Sequence, residues 1–204
     1  MSNINFFRVM QRSQYPPAMI PCNAGSISFN GGAGIYYAEA IVLGNAIGPV
    51  TASFNAQGVP DRFRLVWSGS TVADSLFVGD SLASKSSYDS YTGSISNVTG
   101  LTRYDWDNQQ EKFLTGSTEA VSYSDFDFPP YNLSNTRGNG LVPGNHGAQE
   151  GVLPNLPSST SYSTDGNVQL GFYKNTEFPT TFTIIIDGPS SGTAWNLFSV
   201  SCPT

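Results

Sequence analysis

The sequence predicts an all-β protein, an antiparallel β-sandwich of jelly-roll or immunoglobulin-like kind with long loops and an extended N-terminal arm, on three observations. Apolar and polar residues alternate over short stretches, as in Arg62-Phe63-Arg64-Leu65-Val66-Trp67 and Thr181-Phe182-Thr183-Ile184. That period of two puts every second side chain on one face of a sheet. Turn formers punctuate the chain, with 21 Gly and 13 Pro in 204 residues. No heptad, solenoid repeat or helix longer than two turns is legible.

Residues 1–24 have no clean period, and Tyr15, Pro16, Pro17 and Pro21 forbid a helix across their second half. Phe6, Phe7, Val9 and Met10 are nonetheless apolar and, with Tyr15, form the candidate partner-binding set. An arm of this kind buries its hydrophobes either on its own body, as a terminal strand, or on a neighbouring subunit. The prolines, which stiffen and extend it, favour the neighbour.

A single sandwich domain is expected over residues 25–204. Ser26–Phe29 is its first strand, followed by a turn at Gly31, Gly32 and Gly34. Ile35–Leu43 and Val50–Asn55 read as a hairpin closed by Gly44-Asn45-Ala46-Ile47-Gly48-Pro49. Arg62–Trp67 turns through Ser68-Gly69-Ser70 into Thr71–Val78. Residues 81–165 form a Ser-, Asn- and Gly-rich excursion, with short strands expected only at Tyr88–Ile95, Thr102–Trp106 and Phe113–Tyr123. Order returns at Val168–Lys174 and in the strand around Phe182, Ile184 and Ile186. At the C-terminus Trp195 and Leu197 share one parity and Phe198, Val200 and Cys202 the other, which a β-bulge near Leu197 reconciles. The expected core is Phe54, Phe63, Leu65, Trp67, Phe182, Ile184, Ile186 and Trp195. For Trp67 and Trp195 a ligand platform is the competing role.

A chain of this length can bury about 70% of its unfolded surface without a metal or a disulfide framework. Charged residues are 12% of the total, about half the ordinary share, so uncharged hydrogen-bonding groups cover the surface. The net charge is −6, from 9 basic and 15 acidic side chains, and no basic cluster exceeds the pair Arg62 and Arg64. Nucleic acid is thereby excluded as a main partner. No apolar run approaches the roughly 18 residues of a membrane helix. The N-terminus lacks the basic start, apolar stretch and small-residue cleavage site of a secretory signal, so synthesis in a cytosol is expected. Cys22 and Cys202 are too few for a disulfide scaffold and wrongly spaced for structural zinc. Cytosolic synthesis favours free thiols; pairing would fasten the N-terminal segment to the last strand.

Catalytic chemistry is not marked. The single histidine, His146, sits in the loop Pro143-Gly144-Asn145-His146-Gly147, where solvation is the default. Gly188-Pro189-Ser190-Ser191-Gly192 matches the nucleophile elbow formally, but a strand and not a helix follows, so a hairpin turn is expected. Asp105, Asp107 and Glu111, and Asp125 with Asp127, offer hard oxygen ligands without the calcium-loop spacing. No carboxylate pair is marked for glycoside hydrolysis, and no Walker loop or dinucleotide fingerprint occurs. Asn97-Val98-Thr99 and Asn132-Leu133-Ser134 match the glycosylation acceptor without the expected secretory route. The expectation is no catalytic residue, no metal, no cofactor and no enzyme.

The stretch Ala40-Ile41-Val42-Leu43-Gly44-Asn45-Ala46-Ile47-Gly48-Pro49 runs on into Pro60-Asp61-Arg62-Phe63. Ala73-Asp74-Ser75-Leu76 follows, and the chain ends with Gly192-Thr193-Ala194-Trp195 and Ser201-Cys202-Pro203. The combination resembles a β-sandwich module of virion structural proteins of tailed bacteriophages and of some large bacterial surface proteins. In that pattern the corner reads Asp-Thr-Gly, from which Asp74-Ser75-Leu76 departs at two positions. Physically, Pro60 can begin a strand and Asp61 can cap the turn, while Arg62 and Arg64 are expected to face solvent or an adjacent subunit.

The resemblance implies a structural module. The expected function is a capsid decoration or cement protein stabilising neighbouring capsomers, made in the host cytoplasm and resident in the virion. Its expected partners are its own copies, a trimer foremost, and the major capsid or other virion proteins, with neither nucleic acid nor membrane. The alternative is a tail or head-fibre module that binds host-surface glycan through Tyr88, Tyr91, Tyr104 and Trp106 in the long loops.

Overall fold

The alternating stretches build two facing sheets in a computed structural model that describes residues 20–22, 27–30, 32–79, 85–107, 109–123, 158–162 and 167–204. In chain order the strands are β1 (Ile20–Pro21), β2 (Ile27–Asn30), β3 (Gly34–Val42), β4 (Gly48–Asn55), β5 (Asp61–Trp67) and β6 (Ser70–Val78). Helix α1 (Lys85–Ser96) follows, then β7 (Thr99–Asp107), β8 (Lys112–Ser122), β9 (Ser158–Tyr162), β10 (Asn167–Lys174), β11 (Thr181–Gly188) and β12 (Ala194–Ser201). The larger sheet has the order β6-β5-β11-β3-β7-β8 with β1 added to β3, and the smaller one β2-β12-β4-β10-β9. Pairing is antiparallel except where β3 meets β7 and β1, which run parallel to it. The fold is the all-β sandwich that the sequence predicts.

Period-2 patterning decides what lies between the sheets. Phe54, Phe63, Leu65, Phe182, Ile184, Ile186 and Trp195 are buried there, and Trp67 is partly buried against them. The Phe54 and Phe63 rings stack across the gap at 4.7 Å between centroids, and Phe113 meets Trp195 edge-on at 5.7 Å. Each such side chain contributes about 1.5–3 kcal/mol by leaving water. The opposite parity of the larger sheet is also covered. Ile35, Phe77, Leu101 and Ile185 form a second core there with Ile95 of α1 and Tyr123.

Several expectations are corrected. Tyr88–Ile95 is not a strand but lies within α1, whose 12 residues also exceed the two-turn limit read from the sequence. Gly44–Pro49 does not close a hairpin: β3 belongs to one sheet and β4 to the other, so the segment arches between layers. At its start the Leu43 amide donates to the Thr180 carbonyl at 2.8 Å, tying the arch to the approach to β11. Likewise residues 188–193 pass from β11 to β12 across the sandwich instead of turning within a sheet. The Ser68-Gly69 turn is a true hairpin, and both residues have positive φ, 51° and 77°, which matches the right-handed twist of β5 and β6. The expected irregularity in β12 occurs between Trp195 and Phe198, where its register on β2 shifts.

Residues 20–22, which the sequence places in the arm, are joined to the body. Ile20 is buried and aligned with Ile41, and Cys22 forms a disulfide with Cys202, Cα to Cα 5.9 Å.

Candidate functional site

Alternation along β5 turns Asp61, Phe63 and Leu65 inward and Arg62 and Arg64 to the outer face. The two arginines, expected to face solvent or an adjacent subunit, are partly exposed on this outer face, which also carries the second core and two acids. Arg62 grips Asp74 of β6 with Nη2 at 2.6 Å and Nε at 3.0 Å, and its guanidinium lies 5.9 Å from the centre of the Phe77 ring. Arg64 reaches Asp187 of β11 at 2.6 Å. Asp187 is wholly buried, and its Oδ2 has no hydrogen-bond partner among the described residues. Burial pushes its carboxyl up by more than Arg64 draws it down. These pairs clamp β5 to its two neighbours, β6 and β11.

Asp61 does not cap a turn. It is fully buried on the inner side, beside the Thr193 side chain. The neighbouring Thr193 hydroxyl donates to the Ser190 carbonyl at 2.7 Å. Desolvation pushes Asp61 well above the ordinary carboxyl range; Thr193 draws it back in part, and the charge of Asp187 adds to the rise.

One exposed cluster escaped the sequence reading. Arg103 of β7 donates from Nε to Asp105 at 2.7 Å, from Nη1 to Glu119 of β8 at 3.0 Å and from Nη2 to Glu39 of β3 at 2.8 Å. Its guanidinium stacks 3.7 Å over the Tyr37 ring, and the Tyr37 hydroxyl donates to Glu119 at 3.1 Å. Burial and the Glu119 carboxylate push Tyr37 up to about 12, so it serves as no base at neutral pH. Three carboxylates against one guanidinium leave this face negative, which repels phosphate. Parallel pairing of β3 with β7 assembles it, and no local motif announces that pairing.

The proposed glycan-binding aromatics are not gathered in loops. Tyr88 and Tyr91 belong to α1, and Tyr91 is partly buried against the main core. Tyr104 and Trp106 lie on β7, where Tyr104 stacks on Tyr36 at 4.8 Å and Trp106 meets Phe113 edge-on at 5.1 Å. Asp107 accepts from the Gln109 and Gln110 amides at 2.7 and 3.0 Å, the work of a turn former. Asn97 donates to the Gly93 carbonyl at the end of α1. No group of three metal-ligating side chains occurs among the described residues. Phe6, Phe7, Val9, Met10, Tyr15, Asp125, Asp127, Asn132 and His146 lie outside the described residues.

The Asp74-Ser75-Leu76 corner adopts a special geometry although it lacks the glycine of the pattern. Leu76 has φ 53°, its amide donates to Asp74 Oδ1 at 2.8 Å, and Ser75 Oγ accepts from the Phe63 amide at 2.8 Å. The hydroxyl replaces a ladder bond at the register shift between Arg62 and Arg64. The described residues carry clamps, bulges and packed rings. The chain matches no protein-family model, no curated protein and no solved structure.

Proposed function

We propose that this chain is a virion structural protein of a tailed bacteriophage, a decoration or cement protein that binds the capsid as a homo-oligomer, a trimer foremost, and holds neighbouring capsomers through its N-terminal residues. The anchorage of residues 20–22 carries the reading. A segment that staples one subunit to another transmits load to its own body, and a two-residue strand alone would peel. Here Ile20 is buried beside Ile41, and the Cys22–Cys202 disulfide ties the segment to the end of β12. A disulfide suits a particle that is assembled in a cytosol and works outside it, since virion surfaces are oxidising surroundings. The resemblance in residues 40–80 and 168–203 points the same way.

The glycan-binding alternative has less support, because Tyr104 and Trp106 are engaged with Tyr36 and Phe113. The test is imaging of intact particles at side-chain resolution. Density for this chain on the shell, with residues 1–19 crossing to a neighbouring capsomer, is the expected result. Absence of the chain from purified particles overturns the reading.

A further inference from the structure

Three stretches that are far apart in sequence meet beside the arch. Parallel pairing sets Ile20 opposite Ile41 and Pro21 opposite Val42, which brings Cys22 to the end of β3. Cys202, the residue after β12, bonds Cys22 there. Pro203 then lies against Gly48 at the start of β4, where an added Cβ would come within 2.9 Å of the proline Cβ. Both cysteines keep partial exposure at the margin of the main core, the setting in which a small thiol reaches a disulfide.

The non-covalent hold on residues 20–22 is small. β1 has two residues, against 4 in β2 and 11 in β8. Pro21 has no N–H, so Ile20 is the only residue of β1 with an amide to give to the ladder. The Ile20 side chain is buried in the cluster that contains Ile41 and Leu43. Against these gains stands the backbone freedom lost by three ordered residues. Terms so nearly matched leave the decision to the covalent bond, which keeps Cys22 beside Cys202 and makes docking of Ile20 a local event.

The strands on either side of the bond are held independently of it. β3 is paired with β11 from Gly34 to Val42 and with β7 over Ile35–Tyr37, and β12 is paired with β4 and β2. The Leu43 amide keeps its bond to the Thr180 carbonyl, 2.8 Å, so the arch stays tied to the approach to β11. Undocking β1 therefore removes one short edge contact and leaves both sheets connected, the condition for a local opening below global unfolding.

We propose that Cys22 and Cys202 form a redox latch: as a disulfide they dock residues 20–22 on β3, and as two thiols they release them, so that β2 becomes the first element held to the body. Closure is thiol–disulfide exchange with a low-molecular-weight disulfide such as oxidised glutathione. One cysteine thiolate attacks it, forms a mixed disulfide and expels one glutathione thiolate. The second cysteine thiolate attacks the cysteine sulfur of that mixed disulfide, forms the Cys22–Cys202 bond and expels the other. The two protons lost by the cysteines go to the two glutathiones, and two thiols reverse the step. The functional reading above supplies the compartments but not the chemistry: on that reading the latch is open during assembly in a reducing cytosol and closes once the particle leaves it.

Hydrogen exchange of the full chain, read by mass spectrometry at room temperature, tests the latch in dithiothreitol and after reoxidation with oxidised glutathione. Reduction is expected to speed exchange in peptides spanning residues 20–22 at least about tenfold, with β5 and β11 as protected as before. Reoxidation is expected to restore the slow rate as the chain loses the mass of its two thiol hydrogens. The Cys22→Ser/Cys202→Ser double variant is expected to exchange as the reduced chain does in both buffers. Equal protection of residues 20–22 in the two states overturns the proposal, because packing alone then holds them. So does loss of protection in β5 and β11 on reduction, since the bond is then a staple of the whole fold, and so does a native dithiol that oxidised glutathione leaves reduced. Particles enter no arm of this experiment, so the two readings fail separately. A segment indifferent to redox state refutes the latch alone, and absence of the chain from purified particles refutes the virion assignment alone.

Discussion

Cys22 and Cys202, 180 positions apart in sequence, are bonded to each other with their Cα atoms 5.9 Å apart. Cys22 follows β1 of the larger sheet and Cys202 follows β12 of the smaller one, so the bond is a covalent tie between the two layers. Closing so long a loop removes much of the freedom of the unfolded chain, worth about 5 kcal/mol in the loop-entropy model. Cys202→Ser is therefore expected to lower the thermal midpoint by about 10–20 °C. Calorimetry with and without reductant checks this, and a midpoint indifferent to both the variant and the reductant refutes the tie.

Asp61 gives a pH dependence of definite sign. Its carboxyl is raised by burial in the native state and ordinary in the unfolded chain, so the native state holds the extra proton. Stability linked to this group is complete below the unfolded value near 3.9 and drains away as pH rises toward the raised native value. Asp61→Asn keeps the shape and removes the titration. The variant is expected to match the wild type near pH 4 and to exceed it in stability at pH 8. Urea melts at the two pH values measure the difference; a gap that widens on acidification would contradict the argument.

Leu76 holds φ 53° at a position where the module's pattern has glycine. A side chain in the left-handed region costs about 1–2 kcal/mol, and more when it is β-branched. Leu76→Gly is expected to be neutral or stabilising by up to about 1 kcal/mol despite the lost packing, whereas Leu76→Val destabilises. Denaturant midpoints rank the two, and the reverse order would mean that packing of this side chain outweighs its backbone strain.

Legibility in the sequence followed the range of the interactions. Phe63, Leu65 and Trp67 announce their shared face by alternation, and Ser68-Gly69 announces its turn, because both signals are local. The arch at Gly44–Pro49 carries the same turn residues as a hairpin. What makes it an arch is the pairing of β4 with β10 and β12, more than a hundred residues downstream, which no nearby residue encodes. Helix α1 was obscured by Ser and Tyr, weak helix formers, although Tyr88, Tyr91 and Ile95 stand at helical spacing. Burial of Ile95 on the outer face of the larger sheet overrides the propensity. On the same outer face Arg62 and Arg64 are clamps to Asp74 and Asp187. The readable hint was a lone acid in each of two apolar strands, Asp74 and Asp187.

The body's anchorage of residues 20–22 sets where the N-terminal segment can be cut. Ile20 is buried beside Ile41 and Cys22 bonds Cys202, so a truncation past residue 19 removes part of the body as well as the arm. Deleting residues 1–18 is expected to leave the thermal midpoint within a few degrees, whereas deleting residues 1–22 lowers it at least as far as Cys202→Ser does. Attachment responds differently. Phe6, Phe7, Val9 and Met10 would each contribute about 1.5–3 kcal/mol on burial against a capsid neighbour. Ordering some ten residues offsets part of that gain at about 1–2 kcal/mol each, so the net contribution is much smaller than the sum. A tenfold loss of occupancy needs only about 1.4 kcal/mol, and the shorter deletion is expected to show at least that loss on particles. If the 1–18 deletion instead unfolds the domain, the segment is a strand of its own sandwich. If it binds particles as the intact chain does, attachment resides in the body, where Phe178, 79% exposed, is the first side chain to mutate.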